Sequence, residues 1–480
     1  MPKSPFISSL VLTALGFIPA LAGIFLLPLY LNQLSSEEYA IMNLVIIFAG
    51  FAAMLGNLKL DAAMRTFYFD YEQEPEKLNN YLSQIFSFGL ILLIFFFGLM
   101  LIIGPFLFGF IFRSEALSFY PFGFYALAAS FLSLAKSPYM IFLKNQIRLK
   151  EFAFYNLGEF SLIFALQAYF ILVLGKGVEG ALLGSLIAQA FIFLLFFLLN
   201  FRLLKWKIEL DFLRPSLRYS LGIIPFILMN WMIIRGDRIL FEQFSELKEV
   251  GKYALLMAIL GFSRILLNAM DNAIRPFLFS RLKAGDAESL KEAHILLRYY
   301  VAVSCLFLSA ILMLSAFLPL LTDKTDFLEV IPYFSWGALA LLPGILIRVY
   351  NLQLVFVKKA YEISSLGFLN LIVLLAGFYF WVPAHGIMGA IASIAASNLL
   401  SLLLFAYRSN VYRSADIPAF PALDILLISG AIFLIASSWE VLEWRFRSPL
   451  QFALLLSLIL FLFRKQWRML FQMKEGLQKS

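Results

Sequence analysis

From Phe88 to Phe112 the chain runs 25 residues without a single charge. A helix of that length spans about 37 Å, enough to cross a hydrocarbon core of about 30 Å. Similar runs recur along all 480 residues, separated by short polar stretches. Inside lipid no water is available to the backbone, so each run must close its own hydrogen bonds as a helix or join a closed barrel. The period-two alternation of barrel strands is absent, which leaves helices. The apolar runs predict helices over 6–31, 38–60, 82–112, 116–142, 153–174, 179–201, 217–240, 251–276, 295–321, 327–356, 362–382, 386–407, 421–438 and 449–464. The first holds Pro19 and Pro28 and is too long for the core of a cleaved signal, so it reads as a membrane helix.

Composition agrees with lipid as the solvent. Hydrophobic residues make up 62% and charged ones 14%, against roughly a quarter charged in soluble domains. One cysteine, Cys305, and two histidines, His294 and His385, exclude an internal disulfide and argue against a metal cluster. The formal charge of +8 would suggest nucleic acid on a soluble protein. Here the arrangement of charge gives a different cause, with no role for nucleic acid. With the first residue in the cytoplasm, fourteen helices put 27 Lys and Arg on the inner side and seven on the outer. A wrong helix count would invert part of that bias. The positive-inside rule therefore predicts about fourteen helices with both termini cytoplasmic.

The chain also repeats itself. Leu15-Gly16-Phe17-Ile18-Pro19 recurs as Leu221-Gly222-Ile223-Ile224-Pro225. Asp61-Ala62-Ala63-Met64-Arg65-Thr66-Phe67 recurs as Asp271-Asn272-Ala273-Ile274-Arg275-Pro276-Phe277. Gly177-Val178-Glu179-Gly180-Ala181 recurs as Gly386-Ile387-Met388-Gly389-Ala390. The offsets, 206, 210 and 209, span six helices. An even number preserves orientation, so the halves form a parallel pseudo-twofold repeat. The expected organisation is an N-lobe over 1–201, a cytoplasmic linker over 202–216 and a C-lobe over 217–407. Two additional helices over 421–464 and a basic cytoplasmic tail over 465–480 complete it. Parallel-repeat transporters place the substrate site in a cavity between their lobes.

Charges inside the predicted helices are the candidates for chemistry, because a lipid-facing charge is costly. Arg264 is the deepest cation; Arg235 and Arg238 flank Asp237, and Lys136 lies nearer the inner side. Cations lining a cavity would bind an anionic headgroup, and the arginine fork suits phosphate. A salt bridge or snorkelling would account for Arg238 equally, and neutralisation of Glu159 for Lys136. Asp61 with Arg65, and Asp271 with Arg275, stand four apart and share a helical face. Each pair could latch a helix end or form part of an inner gate. Glu159, Asp237 and Asp271 are the carboxylates that could carry a coupling proton or Na+. Pro19 and Pro225 mark helix bends, static or moving. No Walker-A loop, HExxH motif or large loop is present, so an enzyme is not expected.

The chain resembles the Wzx-type polysaccharide flippases, in the superfamily (MOP) that also holds the MATE drug exporters and the lipid II flippase MurJ. The residues that carry the likeness are the outer turn Leu34-Ser35-Ser36-Glu37-Glu38-Tyr39 and the segment Leu60-Asp61-Ala62-Ala63-Met64-Arg65 followed by Phe67-Tyr68. Asp237-Arg238, Gly251-Lys252-Tyr253 and Gly386-Ile387-Met388-Gly389-Ala390 extend it into the second half. Ala40, where glycine is usual, and Thr66, interrupting the usual Arg-Phe-Tyr run, depart from the pattern. The resemblance implies two six-helix lobes around a central cavity in the bacterial cytoplasmic membrane. It implies alternating access, with ion or potential coupling, and transport of an undecaprenyl-pyrophosphate-linked oligosaccharide, such as an O-antigen unit of lipopolysaccharide, from inner to outer leaflet. Membrane lipids, a polysaccharide polymerase and glycosyltransferases are the implied partners. The alternative is a MATE-like ion-coupled multidrug exporter, whose cavity would favour carboxylates over the arginines and lysine found here.

Overall fold

A computed structural model describes residue 15, residue 23 and residues 25–205, 208–412, 422–438 and 443–463. All regular structure among them is helical. Residues 25–33 form α1; the rest of the predicted first helix, with Pro19, lies outside the described residues. Then follow α2 (Ser36–Gly56), α3 (Leu60–Tyr71), α4 (Pro75–Ile111), α5 (Phe124–Ala135), α6 (Ser137–Asn145), α7 (Leu149–Ala168) and α8 (Gly177–Asn200). The chain continues through α9 (Leu210–Trp231), α10 (Asp237–Glu242), α11 (Leu247–Ala284), α12 (Ala287–Leu321), α13 (Thr325–Leu328) and α14 (Tyr333–Phe356). It ends with α15 (Ala360–Val411), α16 (Leu423–Ser438) and α17 (Trp444–Leu462).

Among the described residues, eleven helical segments are long and apolar enough to cross a membrane. One of them, Tyr361–Val411, is 51 residues long; drawn straight it would measure about 76 Å, more than twice a hydrocarbon core. It is not straight. Gly386 adopts φ 53° and ψ −128°, a non-helical conformation that turns the chain back on itself. The two arms then press together: a Cβ on Gly377 would sit 2.8 Å from the Ser393 Cβ, and one on Gly389 would sit 2.6 Å from the Trp381 carbonyl carbon. Helices predicted over 362–382 and 386–407 are thus a hairpin.

The first half contains the same hairpin. Gly177 has φ 51°, matching Gly386 at φ 53°. A Cβ on Gly184 would stand 2.9 Å from the Gln167 nitrogen, so small residues again let the arms approach. A second repeated turn escaped the sequence reading. Ile147 has φ 56° and Lys358 φ 59°. In both turns a backbone N–H closes on the carbonyl five residues earlier, Arg148 to Leu143 and Lys359 to Leu354, each at 2.9 Å. This is the Schellman way of ending a helix, here built on a non-glycine residue. Turn for turn, the repeat is present in the backbone as well as in the letters.

The chain forms two compact units, residues 1–251 and 252–480. In the first, α9 packs on α3 and α4. Its serines supply the polar contacts: Ser220 Oγ donates to the Lys59 carbonyl at 3.2 Å, and Ser216 Oγ lies 2.7 Å from the Tyr81 hydroxyl. The segment opening the predicted C-lobe is therefore bonded to helices of the first half. In the second unit, α14 packs on α15 and α16, and α12 on α17. Arg298 forms a two-pronged pair with Asp424, at 3.1 and 2.6 Å, which fastens α12 to α16.

Helix starts follow local chemistry. At α2, Ser35 Oγ accepts from the Glu38 N–H at 3.1 Å, and Glu38 Oε2 accepts from the Ser35 N–H at 2.8 Å. This reciprocal capping box satisfies two donors that the helix leaves open. Ser35→Ala is expected to lower stability by about 1 kcal/mol. Thermal unfolding in detergent would show it, and an unchanged transition would remove the cap from the account of α2. At α12, Asp286 accepts from the Ser289 N–H at 2.9 Å. That backbone bond, with a smaller side-chain contribution from Ser289, holds the carboxyl below its ordinary range. The cap's support is present at neutral pH and is lost as the medium is acidified through the lowered value.

Candidate functional site

Polar groups embedded in membrane-length helices are the features that lipid does not explain. In the first unit, Lys136 sits at the junction of α5 and α6 and is only 3% exposed. Its ammonium lies 3.1 Å from Glu159 Oε2 on α7. It also donates to Gln189 Oε1 on α8 at 3.2 Å and to the Ser133 carbonyl at 3.4 Å. The Gln189 amide completes the set by donating to Glu159 Oε1 at 2.6 Å. An ammonium has three donors, and these partners engage all of them. Lys136 thus neutralises Glu159, the structural alternative weighed from the sequence, and this geometry leaves no donor for a headgroup. Gln189 was not singled out from the sequence, because a neutral amide gives no charge signal.

Arg235 lies in a π-helical turn, Met232–Gly236, between α9 and α10, and its side chain is exposed. Single π-helical turns concentrate at functional sites. Asp237, 1% exposed, follows as the first residue of α10, and Arg238 Nη1 lies 3.6 Å from its Oδ1. The salt bridge weighed for Arg238 is therefore present. At the end of α10 the buried Glu242 carboxylate accepts from the backbone N–H of Arg113 at 2.9 Å and of Ser114 at 2.8 Å. Gln243 Nε2 donates to it at 2.8 Å and to the Ile111 carbonyl at 2.7 Å. These bonds fix the end of α4 to the end of α10. Neither residue stood out in sequence, since both lie at the margin of an apolar run.

The second unit carries a polar stripe along one helix. Arg264, Asn268, Asp271 and Arg275 stand at i, i+4, i+7 and i+11 on α11, so they share one face over three turns. Arg264 and Asp271 are half-buried; Asn268 and Arg275 are exposed. The expected ion pair between Asp271 and Arg275 gives way to a different one. Asp271 accepts from the Tyr300 hydroxyl on α12 at 2.5 Å and from Arg348 Nη1 on α14 at 2.7 Å. Arg348 also donates to Asn268 Oδ1 at 2.9 Å. The i, i+4 spacing permits a pair, but two better donors arrive from other helices. The matching expectation for Asp61 and Arg65 is corrected likewise. Asp61 pairs with Lys59 at 3.6 Å, in a segment where Leu58 and Lys59 take positive φ and break the helix between α2 and α3. The stripe was legible in the spacing of four polar residues along α11. The partners Tyr300 and Arg348 are not legible there, because they arrive from other helices.

A multi-pass helical bundle with a charged stripe on a membrane-length helix is the class of protein that this geometry defines. The chain belongs to the polysaccharide biosynthesis protein family, whose model matches residues 8–283. Its fold is similar to that of the lipid II flippase MurJ in an inward closed conformation, with a TM-score of 0.64, 13% identity, and coverage of 96% of this chain and 98% of that one. It is also similar to a multidrug resistance MATE family transporter of the MOP superfamily. The inward-facing form gives a TM-score of 0.61 and 16% identity over 85% of this chain and 99% of that one. The outward-facing form gives 0.56 and 17% over 85% and 95%. A search of curated proteins found no match.

Proposed function

We propose that the chain is a flippase that moves an undecaprenyl-pyrophosphate-linked oligosaccharide from the inner to the outer leaflet of the bacterial cytoplasmic membrane by alternating access. The observation that carries this reading is the polar stripe of α11, headed by Arg264, in a chain of the polysaccharide biosynthesis family. An arginine within a membrane helix suits an anionic headgroup, and its guanidinium fork can meet a pyrophosphate with two parallel hydrogen bonds. Arg235, exposed on a π-helical turn, is the second headgroup ligand in this reading. Coupling to H+ or Na+ runs through Asp237, because Glu159 is committed to Lys136 and Gln189. Pro225, inside α9, bends as access alternates. Both termini are cytoplasmic, and glycosyltransferases and a polymerase act before and after the transfer.

Arg264→Ala is expected to lower surface polysaccharide at least tenfold at matched protein level, the effect of losing charge-assisted bonds worth about 1.5–3 kcal/mol. Arg264→Lys should restore part of the output, since it keeps the charge and loses the fork. Unchanged output from Arg264→Ala would remove this residue from the mechanism. Unchanged output from a deletion strain that becomes drug-sensitive would replace the flippase reading with an exporter.

A further inference from the structure

A groove of about 630 Å³ runs between α4, α5 and α8 in the first unit, a volume within the range of ligand sites. Its shape has a simple cause. Ala128 and Ala135 stand seven apart on α5, on one face, and leave a hollow there. Phe97 on α4 and Phe193 and Phe197 on α8 stand around that hollow. Along α4 the lining runs from Ser87 to Phe97, a rise of about 15 Å. That is half of a hydrocarbon core, or the depth of one leaflet.

Only one end is polar: among the described residues that line the groove, all but Ser87 and Lys205 are apolar. Lys205 is held at the mouth by its backbone. Its N–H donates to Ser87 Oγ at 2.8 Å, and Ser87 Oγ donates to the Leu203 carbonyl at 3.5 Å. Four residues on, the Glu209 N–H donates to Gln84 Oε1 at 3.0 Å, which fastens the same segment to α4 again. The Lys205 ammonium bonds Asn80 Oδ1, which uses one of three donors. Arg202, also exposed, adds a second positive charge three residues away. Among the described residues, no acidic side chain lines the groove. The positive-inside bias puts this end at the cytoplasmic surface, where anionic lipids attract basic residues.

We propose that this groove is a binding site for an anionic glycerophospholipid of the cytoplasmic leaflet. One acyl chain lies along α4 between α5 and α8, and the phosphate meets Lys205 and Arg202. Any apolar surface in a membrane touches lipid chains. A cation pinned by its own backbone at the end of a leaflet-deep groove selects a headgroup as well. The groove is built from residues of the first unit, none of them in the α11 stripe, so the proposal does not depend on the transported substrate.

The test is native mass spectrometry of the purified full chain, titrated with phosphatidylglycerol or with phosphatidylcholine of the same acyl chains. Phosphatidylglycerol is expected to bind at least tenfold more tightly. Lys205→Gln should weaken phosphatidylglycerol about fivefold and leave phosphatidylcholine unchanged, as removal of one surface cation predicts. Leu132→Trp, which fills the groove, should weaken both lipids. If that variant does not fold, Lys205→Gln still decides, because its side chain is exposed. Equal binding of the two lipids, or an undiminished preference in Lys205→Gln, would overturn the proposal. So would displacement of phosphatidylglycerol by substoichiometric polyprenyl phosphate, which would make the occupant an isoprenoid lipid.

Discussion

Gly251→Ala is expected to destabilise the protein by about 3 kcal/mol or more, a large effect for one methyl group. Gly251 lies in the first turns of α11, against the first residue of α2. A Cβ there would overlap the Ser36 carbonyl oxygen, and would stand 2.7 Å from the carbonyl carbon and 3.2 Å from the Ser36 Cα. All three are backbone atoms, so no rotamer change can relieve the overlap. The starts of α2 and α11 would have to separate, and Ser36, 2% exposed, would lose its close packing. The control is Gly261 on the same helix, where a Cβ meets nothing within 4 Å. Gly261→Ala should be neutral or stabilising by up to about 1 kcal/mol, because alanine is the better helix former. Folded yield and thermal unfolding of the two purified variants make the comparison. Equal behaviour would mean that the close approach of Gly251 to Ser36 contributes nothing to stability.

This contact joins two of the segments that carried the family resemblance, the turn Leu34–Tyr39 and the opening of α11 at Gly251-Lys252-Tyr253. The residues were legible; the reason for their presence was not. Two motifs more than 200 residues apart say nothing of a shared carbonyl until the chain is folded. The membrane helices themselves were legible because length and charge exclusion are one-dimensional. Their true ends were less so. Helices predicted over 251–276 and 295–321 extend as α11 to Ala284 and as α12 from Ala287. Hydropathy marks the part of a helix that lipid covers, while capping decides where it stops, as at Asp286.

The charged residues divide along the same line. Depth along a helix suggested that Lys136 and Glu159 could meet, and they do. Spacing along a helix suggested Asp61 with Arg65 and Asp271 with Arg275, and the structure chose Lys59 and Arg348 instead. A pair within one helix gains only about 0.2–0.5 kcal/mol. A half-buried carboxylate gains more from a tyrosine and an arginine arriving from two other helices, because both of its oxygens are then satisfied. Such partners lie tens of residues away, and no periodicity points to them.

The Lys136 triad gives the sharpest separation of structure from transport. Lys136→Met leaves the Glu159 carboxylate buried without a countercharge, and Glu159→Gln leaves the ammonium in the same position. Each single change is expected to cost about 3–5 kcal/mol, the usual effect of breaking one side of a buried ion pair. The combination Lys136→Met, Glu159→Leu and Gln189→Leu removes every polar member at once. Fully apolar replacements of buried charge networks are often neutral or stabilising, so the triple variant should recover most of the loss. Lys136→Met with Glu159→Leu should fall between, because Gln189 then keeps an unpaired buried amide worth about 1–3 kcal/mol. Thermal unfolding in detergent orders the four proteins. Polysaccharide output at matched levels then adds what stability cannot show. A triad whose bonds are closed among α5, α7 and α8 has nothing to offer a moving substrate, so the triple variant should transport normally. A triple variant as stable as the parent but inactive would return Glu159 to the coupling mechanism and displace Asp237 from it.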